Sequence, residues 1–564
     1  MKKIEVILFS LILVLAIFLR IYKLDAVPPA LFGDEIDVGY QAYSLWETGR
    51  DLTGRFMPFY LRSLSEFRTP LYIYSAVPFV GIFGLNEWGV RLPAAFWGII
   101  SIIGIYLLSR KLFNARAALI SSLILSISPW HLQYSRASFE VTMLLSFIIF
   151  GIYFFLLGLS KNRFFFLSAI LLISSVYIYS TAVAFIPLVC LLLFIIYWRQ
   201  IIKISPKILI SLVLTGAVLL SPVVVSYFTG EAKERFGLVS IFQDSVLLDK
   251  INLARKGQEF YSPEGSLQTT DPTTEALFHN KVTVFAQVFI TNYFKSLSPT
   301  FLFSDGDINF RHSIHEMGEE HYYEVILLIL GMFALTKLDP KKAFLVFGWL
   351  LLAPIPSSMT NDGGSHATRL FILLPPIILI SGVGGDWIIN SLKNKYIKLL
   401  SVFIVVLFFI NITFYFHRYY VHYSPESWRW WHVGFKEAML YMKSEEQNYQ
   451  MVGFNNTYEP SLIRFLFWNQ VDPSVFQENY AKTMEKSEIF PGYEGFKFKD
   501  KYFFGSTSKP LLETLPSGTL YMVSARDEVP GDWDWSKTPP PEITVLKTIR
   551  NPLNEPIFYV IVKN

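Results

Sequence analysis

Two adjacent carboxylates, Asp34 and Glu35, follow the run Pro28-Pro29-Ala30-Leu31-Phe32-Gly33. A carboxylate partly buried beside a membrane has its proton affinity raised toward what base catalysis needs, so the pair is a candidate general base. The plain alternative is that both acids complement the dipole of a helix starting after Gly33. Asp34, Asp37 and Gln41 recur at i, i+3 and i+7, with Ile36, Tyr40 and Tyr43 on a more apolar face, the pattern of an amphipathic helix lying in a membrane interface. Four arginines are placed for anions. Arg68 stands before the Pro70-led apolar stretch, where its guanidinium can grip a phosphate with two parallel hydrogen bonds or snorkel to lipid headgroups. Arg91, in Gly89-Val90-Arg91-Leu92-Pro93, has Glu87 one helical turn earlier as its expected partner. Arg136 follows His131 and Tyr134 and precedes Glu140 by one turn. A charge at membrane depth costs about 2.5–3.5 kcal/mol, so His131, Arg136 and Glu140 are expected at a polar cavity rather than against lipid, with a plain ion pair as the alternative. Arg369 opens a helix after Asp362-Gly363-Gly364-Ser365-His366-Ala367-Thr368, which suits an anion; a tight solvated turn is the alternative. His312 and His315, with the acids around them, have the residue types of a divalent metal site, but their spacing matches no strong metal signature. No cofactor is assigned from the sequence; a divalent metal is the one group these residue types admit.

The elements that must position these groups are membrane helices. Of 564 residues, 52% are hydrophobic, 17% are charged and 51 are Phe, a balance that excludes a set of soluble domains. The single cysteine, Cys190, excludes a disulfide scaffold, and a net charge of +4 is too small to imply nucleic acid. A spanning helix needs about 20 apolar residues. Eleven stretches are expected to span, near 4–22, 88–109, 117–134, 139–159, 164–180, 182–198, 208–228, 323–336, 342–356, 368–388 and 399–417. With the N-terminus inside, Lys2-Lys3, Arg110-Lys111, Arg116, Lys161, Arg163, Arg199, Lys203, Lys207, Lys337, Lys341, Lys342, Lys393, Lys395 and Lys398 all fall in short inner turns, as positive-inside topology requires. The acids Asp34, Glu35, Asp37, Glu47, Asp51, Glu66, Glu87, Glu140, Asp305, Asp307, Glu316, Glu319, Glu320 and Asp362 fall at outer loops or outer helix ends. The loops 23–87 and 229–322 and the segment after 417 are expected outside as well. Residues 1–417 are thus expected to form a transmembrane module and 418–564 an extracytoplasmic α/β domain. Its helices are expected at 433–446 and 460–468, and its strands at 450–454, 519–524, 543–549 and 557–562.

These pieces in this order resemble GT-C-fold glycosyltransferases, in particular glycosyltransferase family 39 and its neighbours, the relatives of protein O-mannosyltransferases and of lipid A aminoarabinose transferase. The matching residues are Gly33-Asp34-Glu35, Arg68-Thr69-Pro70-Leu71, Gly89-Val90-Arg91-Leu92-Pro93, Tyr134-Ser135-Arg136 with Glu140, and the loop from Asp362 to Arg369. In the aminoarabinose transferase pattern a Lys stands where this chain has Arg68, and a Glu where it has Phe67. Trp430-Trp431 is followed by His432, not by the Asp of the oligosaccharyltransferase signature. The resemblance implies an all-α polytopic membrane enzyme of the inner or plasma membrane. It implies transfer, with inversion, of a sugar from a polyprenyl-phosphate donor to a protein, lipid or glycan acceptor on the outer face. By the same resemblance Asp34 is the general base and Glu35 orients or binds. Arg68, Arg91, Arg136 and Arg369 bind the donor phosphate, and His131, Tyr134, Glu140, His312 and His366 face the substrates. Two other classes compete: a lipid-linked-sugar flippase, which needs polar residues at the bilayer midplane, and a non-catalytic scaffold whose tail binds a partner.

Overall fold

The computed structural model describes residues 3–64, 66–230, 240–243, 245–260, 277–531 and 533–564. The expected outer loop 229–322 therefore lies partly outside the described residues. The expected spans lie largely in helical segments, the form that satisfies its own backbone groups in hydrocarbon, but 117–134 is broken into Ala115–Ile127 and Pro129–Tyr134, and 342–356 into Pro340–Leu352 and Pro354–Ser358. Among the described residues, seven helices are long and apolar enough to cross a membrane: Lys3–Ile21, Glu87–Leu112, Val141–Gly158, Thr181–Ile201, Pro206–Thr229, Ala367–Asn390 and Lys395–Ser427. The remaining expected spans fall on shorter helices, Ala115–Ile127, Arg163–Ser174, Tyr322–Leu335 and Pro340–Leu352. The chain is a multi-pass membrane protein. It divides into two compact units: residues 1–20, 96–135 and 140–416 form one, and residues 21–95, 136–139 and 417–564 form the other.

The first unit holds most of the apolar helices. Its helices approach closely where side chains are small, as is usual in membranes. A Cβ at Gly384 would stand 2.0 Å from the Leu327 carbonyl oxygen, so only glycine lets Leu374–Asn390 lie against Tyr322–Leu335. Two polar loops, spanning 303–321 and 356–369, also belong to this unit.

The second unit joins the first outer loop to the tail. The loop contributes the helices Gly33–Thr48 and Pro70–Phe83, and between them a small hairpin of β1 (Leu61–Arg62) and β2 (Phe67–Arg68). The tail carries a seven-stranded sheet built from β3 (Met451–Asn455), β4 (Ser487–Phe490), β5 (Tyr493–Phe498), β6 (Tyr502–Thr507), β7 (Thr519–Ser524), β8 (Ile543–Arg550) and β9 (Pro556–Lys563). The strand order is β4-β5-β6-β3-β7-β9-β8, with β3 parallel to β6 and β7 and the other pairs antiparallel. Central β7 is buried at every residue, which is why its middle, Leu520-Tyr521-Met522-Val523, shows no apolar–polar alternation. The expected strands appear as β3, β7, β8 and β9, and the expected helices as Phe435–Glu445 and Ser461–Trp468. The helix Pro473–Thr483 and the strands β4, β5 and β6 escape the sequence pattern. Gly495 pairs with Gly505 across β5 and β6, interrupting the alternation in both. The turn joining them uses Lys499 and Asp500 at φ 52° and 53°, without the Asn-Gly signal that marks such turns.

Candidate functional site

The site begins with the turn that launches the helix Gly33–Thr48. Residues 22–30 are irregular, so their carbonyls need donors, and two buried arginines supply them. Arg91 Nη1 donates to the carbonyls of Leu24 (2.9 Å) and Pro28 (2.9 Å), and Nη2 to Ala30 (2.6 Å). Its remaining donors go to Glu35: Nε to Oε1 at 3.0 Å and Nη2 to Oε2 at 3.2 Å. All five donors are used, and neither side chain of the pair is exposed. Arg136 donates from the other side of the turn to the carbonyls of Tyr22 (2.8 Å), Lys23 (3.1 Å) and Val27 (2.8 Å), beneath the rings of Tyr419 and Tyr420. Glu35 also accepts from the backbone N–H of Ser138 (3.0 Å) and of Phe32 (3.4 Å). Glu87, the expected partner of Arg91, takes Lys436 instead at 2.7 Å. The helical turn between Glu87 and Arg91 is overridden because Arg91 reaches across to the chain turn that needs its donors.

Ile36 and Tyr40, expected toward lipid, are covered by protein. Tyr40 donates to the Val471 carbonyl at 3.1 Å. A Cβ on Gly39 would sit 2.6 Å from Phe467, so the missing side chain is what lets Ser461–Trp468 dock there.

Asp34 sits one residue from Glu35 on the helix, and its side chain is 56% exposed where that of Glu35 is 0%. It lines a cavity of about 290 Å³ together with Gly33, Asp37, Ser63, Arg68, Glu459 and Arg464, closed by apolar tail residues Leu462, Ile463, Met484 and Phe496. Arg68, delivered by β2, bridges Asp34 (Nη2 to Oδ1, 2.7 Å) and Asp37 (Nε to Oδ2, 2.7 Å), with Glu66 at 3.5 Å. Asp37 is buried, and desolvation raises its pKa to about 6 despite the opposing charge of Arg68 and a hydrogen bond from Ser63 at 3.0 Å.

Arg464 was not anticipated as a site residue. It is fully buried, and desolvation lowers its pKa to about 10. It stacks on Phe435 at 4.4 Å and donates to His432 Nδ1 at 2.7 Å, while His432 Nε2 lies 3.2 Å from Glu459. A single Arg on a short apolar helix of the tail carries no spacing signal; only the folded pocket reveals it.

The other expected residues belong to the first unit. His131 is fully buried, with Arg20 at 2.6 Å from Nδ1 and Ser101 at 2.7 Å from Nε2. Glu140 stands directly before the helix Val141–Gly158, and its side chain makes no capping hydrogen bond to that helix. Tyr134 hydroxyl lies 2.9 Å from His312 Nδ1 and 2.8 Å from Thr368 Oγ1. The His312 and His366 rings lie 5.2 Å apart, and burial holds both imidazoles below the usual histidine pKa, that of His366 at about 4. Arg369 is bonded to Asp362 and, at 2.8 Å, to Thr360. Asp307, buried next to Glu319, has its pKa raised to about 6 by desolvation. His315 does not join His312 but stacks on Phe310 at 4.6 Å.

Comparison with known proteins agrees with this architecture. Residues 68–225 match the family model described as dolichyl-phosphate-mannose-protein mannosyltransferase. No curated protein matches the chain. The chain is similar in structure to ArnT from Cupriavidus metallidurans bound to undecaprenyl phosphate, with a TM-score of 0.50 and 12% identity over 98% of this chain and 97% of that one. It is also similar to the archaeal oligosaccharyltransferase AglB from Archaeoglobus fulgidus, in complex with an inhibitory peptide and a dolichol-phosphate. That match has a TM-score of 0.48 and 13% identity over 83% of this chain, which spans 63% of the oligosaccharyltransferase's length. The fold is the GT-C fold, with a β-sheet domain at its C-terminal end.

Proposed function

We propose that the chain is an integral-membrane glycosyltransferase that moves a sugar from a polyprenyl-phosphate donor to a protein, lipid or glycan acceptor outside the cytoplasmic membrane, with inversion. Its N-terminus is cytoplasmic and its tail extracytoplasmic, as the basic inner turns favour. One observation carries the reading: Asp34 is the exposed carboxylate of an otherwise sealed acid pair, in a cavity with two guanidinium groups. In this reading the acceptor hydroxyl gives its proton to Asp34 and its oxygen bonds to the anomeric carbon. The bond from that carbon to the phosphate oxygen breaks, and its electron pair leaves with the polyprenyl phosphate. A single displacement of this kind inverts the anomeric centre. Arg68 and Arg464, the cations of the cavity, stabilise the charge that develops on the leaving phosphate. Arg91 and Arg136 act differently. Their donors hold the turn 22–30, so their part is to position Asp34, as is that of Glu35. The fold match to a structure holding undecaprenyl phosphate supports a lipid-linked donor. The test is transfer by the purified protein from a radiolabelled polyprenyl-phosphate sugar. Asp34→Asn should abolish product while leaving expression and insertion intact. Near-normal product from that variant defeats the reading, and movement of label across a bilayer with no product formed favours a flippase.

A further inference from the structure

We propose that the tail carries a second binding site, for a sugar bearing an anionic group, in the crevice at the carboxyl ends of β3 and β7. The sheet order sets these two strands side by side and parallel. The chain leaves β3 toward β6 on one side and leaves β7 toward β8 and β9 on the other. Connections that diverge in this way open a crevice beyond the strand ends, which is where ligands bind in open α/β sheets. A cavity of about 110 Å³ lies there. Tyr458 reaches it from the loop after β3, Ser524 ends β7, Arg526 follows, and Ile557 comes from the start of β9, while Trp428 and Arg429 close it from the segment before the sheet. Hydrogen bonds fix its walls. Tyr458 hydroxyl donates to the Arg429 carbonyl at 3.1 Å, and the Ala525 N–H donates to the Ile557 carbonyl at 2.9 Å. The acids of the β7 loop are engaged by the protein. Glu528 accepts from Tyr521 hydroxyl and from the Ser524 N–H, both at 2.8 Å, and Asp527 accepts from Ser524 hydroxyl at 2.7 Å. The arginines are left to face a ligand. The Arg526 side chain is 64% exposed and meets Asp527 only at 4.0 Å, and Arg429, also exposed, forms no ion pair among the described residues. Two guanidinium groups beside an indole and a phenol match an anionic sugar: the forks pair with carboxylate or phosphate oxygens, and the aromatic rings take the apolar face of the sugar. The cavity is smaller than the roughly 300–1,000 Å³ that enclose a drug-sized ligand, so it takes one charged unit of a glycan rather than a whole oligosaccharide. It shares no lining residue with the cavity at Asp34 and does not rest on the transfer reaction proposed above.

The test is calorimetric titration of the full chain in detergent with glucose 6-phosphate, galacturonate, glucose and inorganic phosphate. At least one of the two anionic sugars should bind, about 10-fold or more tighter than either glucose or inorganic phosphate, because only the anionic sugars use both the guanidinium groups and the rings. Arg429→Ala and Arg526→Ala should each weaken that binding ~10-fold, the loss of one charge-assisted contact, and as exposed positions both leave the fold intact. Trp428→Ala should weaken it about 3–10-fold. Asp34→Asn, in the other cavity, should leave it unchanged. Failure of both anionic sugars to bind overturns the proposal, as does glucose or inorganic phosphate binding equally well. Binding that survives replacement of both arginines, or that Asp34→Asn removes, overturns it too.

Discussion

Asp34 and Glu35 are neighbours in the chain, and each takes an arginine, yet the two pairs lie in opposite surroundings. Glu35 and Arg91 are sealed, with every Arg91 donor bonded, while Asp34 and Arg68 meet at the edge of a cavity. Successive residues on a helix point about 100° apart, so one turn of Gly33–Thr48 can drive one acid into the protein and hold the next at a cavity. The lesson is that the same pairing of residue types does two jobs. A sealed pair fixes geometry, because leaving either partner alone would bury an unpaired charge. A pair at a cavity keeps its charge available to a ligand.

That contrast can be broken or sharpened by substitution. The largest effect should come from Asp34→Asn. Loss of a general base typically costs 10²–10⁴ in rate, so kcat should fall by about that factor, with a melting temperature within ~1 °C of wild type. Glu35→Gln and Arg91→Ala should act the other way round. Each leaves a buried charge or its partners unmet and should destabilise the fold by about 3–5 kcal/mol in denaturant titrations, with the protein that stays folded losing less activity than Asp34→Asn does. A Glu35→Gln protein of normal stability and no activity would erase the distinction between the two pairs. Asp37 lies between the extremes. Its folded pKa of about 6 exceeds the ordinary 3.8, so the folded state binds the proton more tightly than the unfolded state does. This carboxyl therefore contributes a loss of stability as pH rises from about 4 to about 6, amounting to roughly 3 kcal/mol by linkage. Melts from pH 4 to 7 should fall more steeply in wild type than in Asp37→Asn, with the difference between the two curves carrying the Asp37 contribution. The smallest effect should be Lys436→Ala. Lys436 is 47% exposed where it meets Glu87, so removing it should change stability by less than ~1 kcal/mol, which a melt of the variant checks.

Much of this was legible in the chain. The apolar stretches announce helices because their length matches the bilayer, and the basic turns give them an expected direction. Asp34 and Arg68 stand out because charged residues next to such stretches are rare and need a reason. The tail was harder: β5 and β6 are interrupted by paired glycines, and the helix Pro473–Thr483 mixes polar and apolar residues without a clean stripe. Arg91 was visible as a site residue but not as a structural one, since nothing local to Glu87-Trp88-Gly89-Val90-Arg91 says that its donors go to carbonyls 61 to 67 residues earlier.

The sequence by itself determined the membrane helices, their sidedness as an expectation, and the acids and arginines worth watching. These depend on local composition, which the chain carries wherever it folds. Only the tertiary structure decided that Arg464 shares a cavity with Asp34, that Arg91 and Arg136 clamp one turn, and that His366 rather than His315 joins His312. Those facts come from contacts between residues tens to hundreds of positions apart, and such contacts are set by how whole faces of helices and strands pack, not by the spacing of residues along the chain.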